Sequence, residues 1–306
     1  MADPVGTDGP GEPAVSIVIV NWNARSQLLD CLGSLERHPP ARPWEVIVVD
    51  NGSADGSAAA VRAQWPWARV IANDDNRGLA AANNQGLMAA RADRIVISNP
   101  DVLYSTGAID QLCALLDRRR TACFAVPRLL HPDGTLQTSA GDLPGLRDAL
   151  LGRQAARRTA SSAGEGGFWW DSWSHDRERV IGHGAEACYA VKRAAIAEIG
   201  LQDEKFALDW ETIDWSARAR AAGWEVWFCP GAEVVHLGGV SIRQAPFHWI
   251  VASHRGMYRY FRKRSSVFAR PFLAAAFGAR ALAKLAAVLL GVRMYERAHR
   301  APRQQS

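Results

Sequence analysis

The first half of the chain alternates short apolar runs with stretches of helical periodicity. Val15–Val20 (VSIVIV) and Glu45–Val49 (EVIVV) are continuous runs rich in β-branched residues, which is typical of strands buried on both faces. Between them, the leucines of Arg25–Glu36 recur at helical spacing. The alternation continues with a predicted helix from Ser57, a strand at Arg69–Ala72, a helix at Asn83–Ala90, a strand at Arg94–Ser98 and a helix at Thr106–Leu116. Such alternation predicts a doubly wound, Rossmann-like α/β domain with a mostly parallel sheet flanked by helices.

The alternation is interrupted between Leu143 and Arg179. This segment contains a Ser/Gly-rich stretch followed by FWWDSW, and we interpret it as a long mobile loop. Regular patterning then resumes at Ala187–Val191 and at Lys192–Ile199, and it predicts a helix at Glu211–Ala222 and a strand at Glu225–Cys229.

After Gln244 the sequence becomes helical and basic. Phe272–Leu290 is an apolar segment interrupted by Arg280 and Lys284, two cations one turn apart on the same helix face. Only nine apolar or small residues follow Arg270 without interruption, whereas a membrane-spanning helix needs about 20. We therefore expect a helix that lies in the membrane interface.

Charge is distributed unevenly along the chain. Of its 36 Lys or Arg, thirteen follow Val240, where Glu296 is the single acid among 31 Asp or Glu. A basic helical extension on an acidic body predicts an anionic partner. Phospholipid, lipid diphosphate and nucleic acid all meet that requirement, and of these we expect an anionic membrane surface and no nucleic acid. A solvated extension or a homodimer contact is the alternative.

Two further features bear on the compartment. The five cysteines lie far apart and form no CxxC, which argues against a zinc knuckle and a disulfide framework, and we expect them to be buried. Residues 1–13 have neither a basic start nor an apolar run, so they predict a disordered leader and not a signal peptide. We therefore expect a cytoplasmic protein.

The motif DNGS follows the second predicted strand. Open α/β sheets bind ligands at the carboxyl ends of their strands, which is where Asp50 and Gly52 are expected. A carboxylate at Asp50 is able to accept a hydrogen bond from the imide N–H of uracil or thymine, and Gly52 allows the backbone to approach a ligand. The alternative is an ordinary turn followed by a helix N-cap at Ser53 or Asp55.

Two more motifs occupy comparable positions. Arg77, in NRG, precedes a predicted helix and places a cation beside a helix N-terminus, where phosphate binds favourably. Asp101, in SNPD, follows the strand Arg94–Ser98. One carboxylate together with substrate phosphates commonly holds Mg²⁺ or Mn²⁺, although a strand-terminating turn explains an isolated NPD equally well.

Three acids surround the start of the predicted helix at Glu211: Asp209, Glu211 and Asp214. The helix dipole favours acids there, so capping by Asp209 and pairing of Asp214 with Arg218 are structural explanations, which leaves Glu211 for chemistry. His236, in VVHLGG, either ligates a metal or packs beneath the glycines.

Taken in order, these motifs resemble the family 2 GT-A glycosyltransferases, and in particular their bacterial rhamnosyltransferase branch. The resemblance covers about residues 14 to 260. It rests on the segments VSIVIVNWN, VVDNGSADGS, NRGLAAANNQG, SNPD, DWETIDWSARARAAGW and VVHLGG.

The resemblance implies roles for individual residues. Asp50 would contact the donor base, with Asn23 and Arg77 along the nucleotide, while Asp101 and His236 would bind Mg²⁺ or Mn²⁺. The expected donor-binding set is Asn21, Asn23, Asp50, Asn51, Gly52, Arg77, Gly78, Asn83 and Asn99. Five tryptophans are candidates for stacking on sugar rings or for the core, namely Trp169, Trp170, Trp173, Trp210 and Trp215.

The chain departs from the family pattern at two positions. The usual Asp-x-Asp of the metal loop is Asn99-Pro100-Asp101, which has one carboxylate fewer. The usual Glu-Asp pair at the catalytic helix is Glu211-Thr212. We therefore assign the catalytic base to Glu211, with Asp209 and Asp214 as reserves.

The expected reaction is an inverting transfer of L-rhamnose from dTDP-rhamnose to a polyprenyl-diphosphate-linked or other cell-envelope glycan at the inner face of the plasma membrane. The alternatives are transfer of N-acetylglucosamine, galactose or galactofuranose from a UDP-sugar, and a non-catalytic nucleotide-sugar-binding homologue. The predicted organisation is a catalytic domain at 14–243, with a nucleotide-sugar half at 14–130 and an acceptor half at 131–243, and a membrane-associating tail at 244–306.

Overall fold

The computed structural model describes residues 12–146, 150, 167–171, 173–206, 210–238 and 246–290, so residues 1–11 of the predicted leader lie outside the described part. The strands are β1 Val15–Asn21, β2 Trp44–Asp50, β3 Arg69–Ala72, β4 Arg94–Ser98, β5 Val102–Tyr104, β6 Ala122–Leu130, β7 Leu136–Gln137, β8 Ala140–Gly141, β9 Arg179–Ile181, β10 His183–Gly184, β11 Cys188–Lys192 and β12 Glu225–His236. The helices used below are α1 Arg25–Arg37, α2 Ser57–Gln64, α3 Leu79–Ala89, α4 Ala108–Arg118, α5 Arg193–Ile199, α6 Glu211–Ala221, α7 Pro246–Arg264 and α8 Arg270–Leu289.

Ten of the described strands form one sheet with the order β3-β2-β1-β4-β11-β6-β12-β5, to which β7 and β9 add at β6 and β12. The first four strands are parallel, and the fully buried β1 and β2 lie inside this half. Helices α1 to α3 connect them, which confirms the predicted α/β alternation. In the second half, β11 is antiparallel to both neighbours, while β12 is parallel to β6 and antiparallel to β5.

The sequence pattern did not predict β5 or β6, and it ended β12 too early, at Cys229. Pro230 and Gly231 normally end a strand. In the structure, β12 instead continues to His236 through a register shift between Cys229 and Glu233, because β6 and β5 supply pairing partners beyond the bulge. This extension places His236 at the same sheet edge as Val102.

Most of the predicted tryptophan candidates lie in the core. Trp170, Trp173, Trp210 and Trp215 are buried, whereas Trp169 is partly exposed. The described ends of the segment interpreted as a mobile loop therefore pack against the sheet, and its middle, 147–149 and 151–166, lies outside the described residues. All five cysteines are buried and free, as predicted.

The C-terminal helices dock on the body through an apolar cluster of their own. Phe206, Trp210 and Ile213 of the body pack there against Tyr260 of α7 and Phe277 of α8. Because this cluster is buried, α7 is part of the folded body and not a detached extension.

Ion pairs reinforce this docking. Arg259 and Lys263 of α7 donate to Asp203, at 2.6 and 2.9 Å. Asp214 of α6 accepts from Lys263 at 2.9 Å and from Arg264 at 3.1 Å. Three tail cations are thus neutralised by acids of the body, which reduces the charge left for the predicted anionic partner.

Helix α8 does not turn its cations fully outward, as a basic helix on a protein surface would. Arg280 and Lys284 are half-buried, and Lys284 Nζ lies 5.9 Å from the Trp249 ring of α7. The opposite face carries Leu282 and Leu289, which are 67% and 75% exposed. The helical stretch Val267–Leu289 contains an 18-residue window with a mean hydropathy of 1.7, so it is long and apolar enough by length and composition to cross a membrane, although its uninterrupted apolar run is short.

Asp203→Asn should lower the free energy of unfolding by about 1–2 kcal/mol at pH 7. Burial alone would raise the pKa of Asp203, but hydrogen bonds from Lys263 and Arg259 outweigh it and lower the pKa to about 2. The folded pKa therefore lies below the unfolded value of about 3.9. The contribution is complete above pH 4 and is lost as the pH falls through 2.

Urea denaturation at several pH values between 7 and 2 measures this effect, with Asp74→Asn at an exposed position as the matched control. A difference between wild type and Asp203→Asn that stays constant down to pH 2 would contradict the assignment.

Candidate active site

The first element of the site lies where β1 and β2 end. Their in-register parallel pairing sets Asn21 beside Asp50, and Asn21 Nδ2 donates to Asp50 Oδ1 at 2.8 Å. Ser53 Oγ donates to the same oxygen at 2.6 Å, and the Ser53 backbone N–H donates to Oδ2 at 3.3 Å. Three donors therefore orient the Asp50 carboxylate. Ser53 is a member of this group that the sequence indicated only as a possible helix cap.

Gly52 allows two loops to come into contact. Its φ is +78°, and a Cβ atom there would lie 2.6 Å from the backbone carbonyl carbon of Asp75. No side chain fits in that space. Asn23, also at positive φ, fastens the β1 loop to the same region, since its Oδ1 accepts from the Ala54 N–H at 2.8 Å.

Asn51 links this region to the loop before α3. Its Oδ1 accepts from the Arg77 N–H at 3.1 Å, and its Nδ2 donates to Asn76 Oδ1 at 3.0 Å and to the Gly78 carbonyl at 3.3 Å. The Arg77 guanidinium is half exposed and lies 3.6 Å from the exposed Asp75 carboxylate. An ion pair this exposed is weak, so the guanidinium is able to exchange it for a phosphate.

Asp101 and His236 lie together at the same sheet edge. His236 Nε2 is 3.5 Å from Asp101 Oδ1, and the Leu237 N–H donates to the Asp101 carbonyl. On the other side of the ring, His236 Nδ1 is 3.1 Å from Gln137 Oε1. An amide oxygen only accepts, so Nδ1 is the donor in this contact, and in a neutral ring Nε2 would turn its lone pair towards the carboxylate.

The start of β11 connects this edge with helix α6. The Asn99 N–H donates to the Ala187 carbonyl at 2.8 Å, one residue before β11 begins. Burial raises the pKa of the Tyr189 phenol beyond its usual range, a hydrogen bond with Thr212 opposes the rise, and the Glu186 and Glu211 carboxylates add to it. Asn99, two residues before Asp101, and Thr212, next to Glu211, are therefore both neighbours of the first residues of β11.

Glu211 is fully buried at the first position of α6, where the Trp210 N–H donates to its Oε2 at 3.0 Å. The three elements of the site are thus a nucleotide-type loop, an Asp-His pair and a buried carboxylate, all associated with one rim of the sheet. Comparison with known proteins shows the family to which the chain belongs.

The model of the family "Glycosyl transferase family 2" matches residues 16–177. The chain belongs to glycosyl transferase family 2. It is 29% identical over 269 residues to the N-acetylglucosaminyl-diphospho-decaprenol L-rhamnosyltransferase of Mycobacterium tuberculosis, a match that covers 82% of this chain and 84% of that protein. The resemblance to the rhamnosyltransferase branch is thereby confirmed, and the chain is a glycosyltransferase.

Solved structures confirm the GT-A fold. The mannosyltransferase PcManGT of Pyrobaculum calidifontis, in complex with GDP-Man and Mn²⁺, has a TM-score of 0.55 and 18% identity over 96% of this chain and 84% of that chain. GalNAc-T7 with UDP, GalNAc and Mn²⁺ has a TM-score of 0.53 and 18% identity over 74% of this chain and 44% of that chain.

One of the predicted donor-binding residues of this glycosyltransferase makes a structural contact instead. Asn83 is buried and donates to Gln202 Oε1 at 3.0 Å, and the adjacent Asn84 Oδ1 accepts from the Gln202 N–H at 3.0 Å. These contacts join α3 to the segment after α5, which gives Asn83 a packing role that the sequence did not indicate. Its contact with the donor stays a prediction.

The reserve bases have different positions. Asp214 is fully buried, and its two oxygens accept hydrogen bonds from Arg218, Lys263 and Arg264. Its carboxylate is therefore occupied by ion pairs with three cations. One of these is the predicted pair with Arg218. Asp209 lies outside the described residues.

The Asp101–His236 pair fits a divalent cation. Within the described residues no group of three or more His, Cys, Asp or Glu side chains is arranged for a metal, so these two would supply the protein ligands. Two lone-pair donors 3.5 Å apart suit one shared cation with metal–ligand distances of about 2.1 Å. Donor phosphates and water would complete the coordination.

Gly52→Ala should weaken nucleotide binding and lower the free energy of unfolding by about 1–3 kcal/mol more than Gly56→Ala does. Both glycines have φ of +78°, so both substitutions carry the same left-handed strain. Only at Gly52 would the new Cβ meet backbone, since the nearest atom at Gly56 is Arg25 Nη1 at 3.6 Å.

Urea denaturation and nucleotide titration of both variants measure the difference. Equal effects of the two substitutions would show that the contact with Asp75 does not hold the loop.

Proposed function

We propose that the protein transfers L-rhamnose from dTDP-rhamnose to a lipid-linked diphosphate glycan, with inversion at the anomeric carbon. The association of Asp50, the Asp101–His236 pair and Glu211 with one sheet rim carries the proposal. The similarity to a mycobacterial rhamnosyltransferase over 82% of the chain supports the sugar and the acceptor class.

Donor binding is assigned to the loops after β1, β2 and β3. Asp50 retains lone pairs beyond those used by its three donors, and these would accept the imide N–H of the base. Thymine and uracil share that group, so this contact does not distinguish dTDP from UDP. Arg77 and the N-terminus of α3 would take the diphosphate.

Glu211 is assigned as the base. A carboxylate that takes the proton of the acceptor hydroxyl as the new glycosidic bond forms contributes typically about 10² to 10⁴ in rate. The nucleoside diphosphate leaves with the electrons of the broken C–O bond. Inversion requires the base on the face opposite this leaving group. The Trp210 N–H orients the carboxylate for this role.

A Mg²⁺ or Mn²⁺ ion held by Asp101 and His236 would stabilise negative charge on the leaving diphosphate. Metal dependence is supported by the donor pair and by the Mn²⁺ in the two solved relatives.

Two other functions are alternatives to this proposal. A UDP-sugar donor, carrying N-acetylglucosamine, galactose or galactofuranose, would use the same base contact. A non-catalytic binding homologue is suggested by Asn99 and Thr212, which replace the family's usual carboxylates. Turnover separates this homologue from the enzyme.

Glu211→Gln should reduce release of dTDP from dTDP-rhamnose by about 10² to 10⁴, whereas donor affinity should stay within twofold. Gln keeps the shape of the side chain but cannot accept the proton. Release should depend on acceptor and on metal, and UDP-sugars should give little product.

Glu45→Gln is the matched control, since it makes the same substitution at a buried acid at the opposite end of β2 from Asp50. It should lower stability while leaving most of kcat. Wild-type turnover by Glu211→Gln would remove Glu211 from the mechanism, and preference for a UDP-sugar would refute the donor assignment.

The proposed location is the cytoplasmic face of the plasma membrane. Leu282 and Leu289 would enter the lipid because α8 turns its apolar face outward and its cations towards α7. Tail cations that are not paired with Asp203 or Asp214 would add about 1 kcal/mol each near anionic headgroups. Binding at this surface brings a polyprenyl-diphosphate acceptor within reach.

Leu282→Asp/Leu289→Asp should reduce flotation of the protein with anionic liposomes by at least about tenfold, because two charges oppose burial in lipid. Met88→Asp on α3 is the control, as Met88 is also an exposed apolar side chain, 65% accessible. Unchanged flotation of the double variant would exclude α8 as the contact. Salt-sensitive binding to duplex DNA without flotation would favour a nucleic-acid partner instead.

A further inference from the structure

Helix α7 packs directly against the residue that precedes the proposed base. The Trp210 ring is buried with its centroid 5.4 Å from that of Tyr260 and 6.2 Å from that of Phe261, both on α7. The Phe168 ring stacks nearly parallel to the indole, with the centroids 6.0 Å apart. The position of Trp210 is therefore set by elements far from it in the sequence.

Gly256 makes this close approach of α7 to Trp210 possible. A Cβ atom at Gly256 would lie 2.8 Å from Trp210 Cδ1 and 3.1 Å from Trp210 Cβ and Cγ. Glycine weakens a helix interior relative to alanine, and here it stands in the middle of a 19-residue helix. The contact with the indole accounts for its presence.

The same tryptophan holds the Glu211 carboxylate. Its backbone N–H donates to Glu211 Oε2 at 3.0 Å, and Trp210 is the N-cap residue of α6. A shift of the indole would therefore move the donor that orients the carboxylate. One turn further along α6, Asp214 accepts hydrogen bonds from Lys263 and Arg264, so α7 holds α6 at two points.

We propose that Gly256 and Trp210 are positioning residues for the transfer reaction: α7 sets the place of the Glu211 carboxylate through the Trp210 backbone. The C-terminal extension thus belongs to the catalytic apparatus in addition to any role at a membrane. This inference rests on the proposed function of Glu211 as the base.

Gly256→Ala in the full chain tests the proposal, with Gly278→Ala on α8 as the matched control. Both substitutions place alanine in a helix, but nothing lies within 4 Å of a Cβ at Gly278. Gly256→Ala should lower kcat at least about tenfold while the KM for the donor stays within twofold, since small misplacements of a catalytic group cost up to about 100-fold. Gly278→Ala should retain wild-type kcat.

A double-mutant cycle with Glu211→Gln distinguishes positioning from general damage. If Gly256 acts through Glu211, then Gly256→Ala should cause no further loss in the Glu211→Gln background. Equal losses in both backgrounds, or an unchanged kcat of Gly256→Ala, would overturn the inference. Wild-type turnover by Glu211→Gln alone would instead overturn the proposed function.

Trp210→Phe is the second variant if Gly256→Ala does not fold. It keeps an aromatic ring between Phe168 and Tyr260 but removes part of the indole. The same selective loss of kcat, absent in the Glu211→Gln background, is expected. A thermal midpoint near wild type together with unchanged kcat would contradict a positioning role for Trp210.

Discussion

The in-register parallel pairing of β1 and β2 governs the donor side of the molecule. It brings Asn21 and Asp50 to the same level, where their hydrogen bond and the two from Ser53 fix the carboxylate. A shift of one residue would turn each side chain to the opposite face of the sheet. Both strands are buried on both faces, so such a shift would force the closely packed core side chains to repack.

The other candidate site residues depend on longer-range contacts. β12 continues past a bulge and brings His236 to Asp101, while α6 begins at Glu211, next to a tryptophan that packs against α7. The candidate site residues are held by two kinds of interaction. Hydrogen bonds between neighbouring loops position Asp50, whereas packing between helices far apart in the sequence surrounds the start of α6. If Glu211 is the base as proposed, this arrangement couples its position to the docking of the tail.

The C-terminal charge also has two roles. Arg259, Lys263 and Arg264 form ion pairs with the body and stabilise the docking of α7. The other cations of the tail and the exposed apolar face of α8 would serve the proposed attachment to a membrane.

Local patterns in the sequence determined the α/β alternation, the strand-end positions of Asp50 and Asp101 and the helix that begins at Glu211, because each depends on periodicity and on neighbouring residues. Only the tertiary structure decided that β12 continues past Pro230, that Asn83 packs on Gln202, and that Gly256 makes room for Trp210. These features arise from contacts between residues far apart in the chain, whose energies override local propensity and leave no periodic signal.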